Sequence, residues 1–182
     1  EWRLIDPVPW SAAGPEIHAV GLSAEVLTKG PADLLAISFA LWEPFAFADG
    51  AVSARCEMMQ GIEAGAIGLA LSVDWPAYGY LGLLRAGRGG AALELWLMDD
   101  RQLCPLAGQS IKRKSSERFT ELKLARRSEG LELSCGARAA VWNGAMFPGG
   151  KAGLIKAGCQ SVVFTDVRLE SCGLDRRLGQ AT

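Results

Sequence analysis

From Gly50 to Leu169 apolar and polar residues alternate in short runs, broken by glycine-rich turns. The clearest runs are GAIGLALSVD (65–74), YGYLGLLRA (78–86), AALELWLMDD (91–100) and QSVVFTDVRLE (160–170). In the first, Ile67, Leu69, Leu71 and Val73 fall on one face, and Gly68, Ala70, Ser72 and Asp74 on the other. Successive strand side chains point to opposite faces, so a period of two predicts half-buried antiparallel strands. The same pattern predicts strands over 2–5, 17–22, 34–41, 51–58, 66–73, 79–85, 92–98 and 105–112, then over 120–125, 131–134, 139–142, 152–157 and 162–169. Gly87–Gly90, Asp99-Asp100 and Ser128–Gly130 are the turns between neighbouring strands. Residues 31–33 open one short helix, and no segment is helical for long enough to cross over a parallel sheet. The fold class is therefore all-β, an antiparallel sandwich.

Length and hydropathy fit one such domain, since 182 residues at 49% hydrophobic content can bury a substantial core. The domain is expected over residues 1–170, followed by a C-terminal tail, 171–182, where alternation is lost. With 19 basic and 20 acidic residues well mixed, charge gives no reason to expect nucleic acid or an anionic membrane as partner. Lys112, Arg113, Lys114 and Arg118 read as a solvated loop. GRGG at 87–90 lacks the GK[ST] and the helix of a phosphate loop. No apolar run reaches the ~20 residues of a membrane helix, and the first residues show no signal-peptide pattern. Five cysteines without a CxxC pair, and a single histidine, His18, argue against a zinc site. No cofactor is expected, and a reduced, cytoplasmic-type environment is favoured.

From Asp49 onward the segments resemble the concanavalin A-like (laminin G-like) jelly-roll superfamily. DGAVSARCEM followed by GAIGLALSVD, YGYLGLLRAG followed by AALELWLMDD, and a closing strand with Val163, Phe164, Asp166 and Val167 carry the resemblance. Relatives of similar flavour are carbohydrate-binding modules and the sandwich domains associated with 3-keto-glycoside hydrolysis. The only histidine precedes the matching region, so a His-based site of the latter kind is not carried over. The resemblance implies a groove on the outer face of one sheet, and allows a structural Ca2+ at Asp166, for which oxygen ligands suit.

In that setting Leu93, Leu95 and Leu97 point inward while Glu94, Trp96 and Met98 point away. Trp75, Tyr78, Tyr80, Arg85 and Trp96 are the candidate ligand-binding residues, grouped with Glu94 into one aromatic patch suited to a sugar or a similarly shaped small molecule. The competing reading of the aromatic rings is packing. Glu94, with Glu57, is the candidate acid/base carboxylate should the protein cleave glycosides, which requires two carboxyl groups ~5–9.5 Å apart. Carbohydrate binding is the first functional expectation. A carboxylate-based hydrolase or lyase, and an oligomerisation domain acting as a homodimer, are the alternatives.

Overall fold

The computed structural model describes residues 2–5, 10–13, 16–19, 31, 34, 37–42, 50–58, 65–74, 77–87, 90–112, 119–147, 149–157, 162–171 and 174–177. These contain strands β1 (Trp2–Ile5), β2 (Trp10–Ala13), β3 (Glu16–Ala19), β4 (Ile37–Trp42), β5 (Gly50–Met58), β6 (Gly65–Asp74), β7 (Tyr78–Gly87) and β8 (Gly90–Asp99). They continue as β9 (Gln102–Ile111), β10 (Phe119–Arg127), β11 (Gly130–Cys135), β12 (Arg138–Asn143), β13 (Lys151–Ala157), β14 (Val162–Ser171) and β15 (Leu174–Arg177). Sheet I runs β1-β4-β13-β6-β7-β8-β9, and sheet II runs β12-β11-β10-β5-β14-β3-β2, with β15 on β14. All pairings are antiparallel, giving the expected jelly-roll sandwich.

The meander β6–β9 follows directly from the alternation in the sequence. Two strands do not: β2, and β15 within the stretch read as a tail, four residues each. At the short helix expected over 31–33, the described contact is one turn in which Leu34 N donates to Pro31 O at 2.9 Å. The late strands are inserted between early ones. β13 joins β4 to β6, and β14 joins β3 to β5.

Between the sheets lies an inner core, with Ile67, Leu69, Leu71, Leu84, Leu93 and Leu95 of sheet I against Val52, Ala54, Leu122, Leu124, Leu133 and Phe164 of sheet II. Gly82 admits the sheets to close contact, since a Cβ there would meet Leu133 at 2.9 Å and Leu124 at 3.0 Å. Sheet I is also buried on its other face. Ile37, Phe39, Leu41, Ala66, Ala70, Leu81, Leu83, Met98 and Ile155 form a second, outer core that includes Leu34. Full burial of one such side chain is worth ~1.5–3 kcal/mol, so the outer core is a major part of the fold. Small residues of β6 read as solvent-facing are part of this second layer. Sheet II, by contrast, turns charge outward: Lys123–Glu170 (2.6 Å) and Arg127–Glu132 (2.7 Å) pair along its outer face.

Two bulges re-aim strands. Ser72 in β6 has φ 53°, and the β6–β7 register shifts between Leu71 and Asp74. The extra residue turns Val73 into the outer core, away from the face it was expected to share with Ile67, Leu69 and Leu71. Asp166 in β14 has φ 50°, and there the register against β5 shifts between Thr165 and Arg168. Phe164 before the bulge and Val167 after it consequently both face inward. A buried lysine is also unsignalled by the sequence pattern: Lys156 of β13, the register partner of Ser38, is wholly inaccessible, as is Ser38. Both make polar contacts, in keeping with the cost of burying such groups alone.

Candidate functional site

The hairpin β7–β8 decides which candidate residues meet. Residues directly opposite on antiparallel strands share a face, and here Tyr80 is opposite Leu97 while Trp96 is opposite Leu81. Leu97 packs on the inner core and Leu81 belongs to the outer one. Tyr80 and Trp96 therefore lie on opposite faces of sheet I, and the single patch expected from Tyr78, Tyr80, Arg85, Glu94 and Trp96 is split in two. Both rings are packed, with Tyr80 1% and Trp96 8% exposed. Trp75, the other member, lies outside the described residues.

On the outer face, Glu94 is the centre of a polar trio. Its Oε2 accepts from Trp96 Nε1 at 3.0 Å and its Oε1 faces Arg85 Nη1 at 3.4 Å. The ion pair is partly open, with the Arg85 side chain 30% and that of Glu94 18% exposed. Gly108 of β9 stands opposite Glu94, and Pro105 opposite Trp96. A Cβ on Gly108 would meet only Leu93 O at 3.8 Å, so the position directly opposite Glu94 carries no side chain and borders open space. The result is a small polar shelf at the margin of the outer core, a carboxylate and a guanidinium anchored on a packed indole.

On the inner face, at the opposite end of β7, Tyr78 and Tyr80 join two aromatics that the sequence pattern does not single out. Phe147, in the β12–β13 loop, is 4.7 Å from Tyr78, and Trp142 of β12 is 6.0 Å from Tyr80, centroid to centroid. Phe147 N donates to the Tyr80 hydroxyl at 3.0 Å, a contact 67 residues apart in sequence. Burial raises the pKa of the Tyr80 phenol above its usual value, and the hydrogen bond from Phe147 partly opposes this.

The two carboxylates considered for acid/base chemistry do not meet. Glu57 lies opposite Val163 and Phe119 in sheet II, alternating with the inward Cys56, so it is on the outer side of that sheet. Glu94 is on the outer side of sheet I, and the whole inner core separates them. Two stacked sheets are already ~10 Å apart, more than paired glycosidase carboxylates allow. Asp166 occupies its bulge beside Arg55, Oδ2 to Nη1 3.5 Å. A guanidinium there opposes a cation, and among the described residues no three His, Cys, Asp or Glu side chains gather to hold a metal. Cys56 is buried, and desolvation pushes its thiol far above the ordinary range, which leaves it inert. Among the described residues, no helix is long and apolar enough to cross a membrane.

No protein-family model matches the chain, and no characterised protein matches it in sequence. Solved structures match it in fold. The carbohydrate-binding module CBM66 from Bacillus subtilis superposes with TM-score 0.72 at 16% identity, covering 93% of this chain and 95% of that one. A Bacillus subtilis protein of unknown function with a galectin-like fold gives 0.65 at 12%, covering 98% and 91%. The exoplasmic/lumenal domain of VIP36, in its Ca2+/Man3GlcNAc-bound form, gives 0.65 at 10%, covering 96% and 85%. The chain accordingly has the concanavalin A-like, galectin-like jelly-roll fold.

Proposed function

We propose that the protein binds carbohydrate, and that the shelf around Arg85, Glu94 and Trp96 receives the sugar. One observation carries the reading: a partly exposed carboxylate is fixed by an indole N–H and a guanidinium and faces a position without a side chain. Fixed polar groups beside an apolar edge suit a pyranose or furanose ring, whose hydroxyls alternate with C–H surface. Glu94 accepts from sugar hydroxyls, Arg85 donates to them, and the exposed Pro105 beside the packed Trp96 supplies apolar contact. Carbohydrate-binding modules and lectin domains among the structures of similar fold support the class of ligand. Recognition without cleavage is the reading adopted, because Glu94 lacks Glu57 as a second carboxylate.

A glycan array followed by calorimetry on the best-bound glycan tests this. Glu94→Gln and Arg85→Met are expected to weaken binding roughly ten- to hundredfold, the value of a hydrogen bond to a charged group, while leaving the circular dichroism spectrum intact. Equal affinity in the folded variants would refute the assignment.

A further inference from the structure

We infer that the end of the sandwich crossed by the β12–β13 loop is a second ligand site, a stacking platform on which Phe147 and Tyr78 receive one sugar ring. The ligand class rests on the function proposed above, and the site does not. Phe147 is 41% exposed, one of two large hydrophobic side chains, with Val141, that stay open among the described residues. Single exposed apolar residues are commonplace. Phe147 differs in how firmly it is held.

Both polar groups of its backbone are gripped by side chains from opposite sheets. Its N–H donates to Tyr80 of sheet I at 3.0 Å, and its C=O accepts from Arg126 Nη1 of sheet II at 3.2 Å. Gly144, at the start of the loop, lies against the Trp142 indole so closely that a Cβ would collide with the ring. Gly150, at its end, has φ +87° and abuts the Ser72 backbone. The loop is thereby pinned at both ends and in its middle. An apolar ring on it stays outward, tilted 38° against Tyr78. Such fixing lowers the ordering cost of binding, and it holds the ring against Tyr78 and Tyr80 while 41% of the residue stays open.

The surroundings select the occupant. Asp74 and Asp99 are the register partners of Tyr78 on its two sides, and both are exposed. An aromatic face rimmed by carboxylates matches a sugar, with its C–H face on the ring and its hydroxyls toward the acids. Tyr78 and Arg85 are seven residues apart on β7, which places the platform roughly 23 Å from the shelf at the rise of a strand.

The test is titration of the intact protein with methyl glycosides of glucose, galactose, mannose and fructose, followed by aromatic NMR of Tyr78, Phe147 and Trp96. Wild type, Phe147→Ala, Phe147→Trp and the shelf variant Arg85→Met/Glu94→Gln are compared. The expected result is that Tyr78 and Phe147 signals shift in wild type and in the shelf variant. Affinity at those signals falls about tenfold or more in Phe147→Ala, which is ~1.4 kcal/mol, and is kept in Phe147→Trp. Shifts confined to Trp96 overturn the platform and leave the shelf standing. Shifts confined to Tyr78 and Phe147 do the reverse, and a panel that moves neither set overturns both. Self-association abolished by Phe147→Ala, with no sugar response at Tyr78, also overturns the platform.

Discussion

The Tyr80 hydroxyl links sheet I to the loop that carries Phe147, and its burial makes stability depend on alkaline pH. Its proton is held more tightly in the folded chain than in the unfolded one, where the value is 10.0. Below that pH both states are protonated and the contribution is constant. Above it the unfolded chain ionises first, so stability falls as pH rises toward the folded value. Tyr80→Phe is expected to cost about 1 kcal/mol at neutral pH, the net worth of one hydrogen bond, and to flatten the loss of stability above about pH 10. Urea unfolding across that range checks both effects, and an unchanged alkaline slope would count against the assignment. Residue roles were only half legible in the sequence. Alternation correctly set Leu93 and Leu95 against Trp96 within β8, and Tyr78 with Tyr80 within β7. It could not phase one strand against the next, and that register is what parts Tyr80 from Trp96. Trp142 and Phe147 escaped notice because their partners are distant in sequence and no local period marks them.

At the scale of elements, the bulges are where periodicity failed. One inserted residue at Ser72 leaves composition untouched yet moves Val73 from one core to the other. Ser72 holds a left-handed conformation at φ 53°, and its buried Oγ has no hydrogen-bond partner. Both features cost stability, the first through its Cβ and the second through desolvation. Ser72→Gly removes both and is expected to stabilise by about 1 kcal/mol, raising Tm by roughly 2–4 °C for a chain of this size. A lower melting temperature would mean that the serine side chain packs in a way its orphaned hydroxyl does not suggest. The uninterrupted stretches were easier to read. β7, β8 and β10–β12 lie where alternation and turn residues put them, because nothing displaces their pleat.

For the whole molecule, burial of sheet I on both faces means two apolar layers where alternation predicted one. Leu81→Ala in the outer layer and Leu95→Ala in the inner one are each expected to cost about 2–5 kcal/mol, with both side chains wholly buried. Denaturant midpoints compare them, and a negligible cost for Leu81→Ala would show the outer layer to be a loose cover. The sequence hid this layer because Ala66, Gly68 and Ala70 look like a solvent face, whereas small residues are also what a closely covered sheet needs.

The order of strands imposes a schedule on synthesis. β13 is the bridge between the halves of one sheet and β14 between the halves of the other. Until those last segments leave the ribosome, the strands already made present unpaired backbone edges at the middle of each layer. The nascent chain must therefore wait, unsealed, for its C-terminal portion, and any stop codon before residue 151 leaves both layers divided.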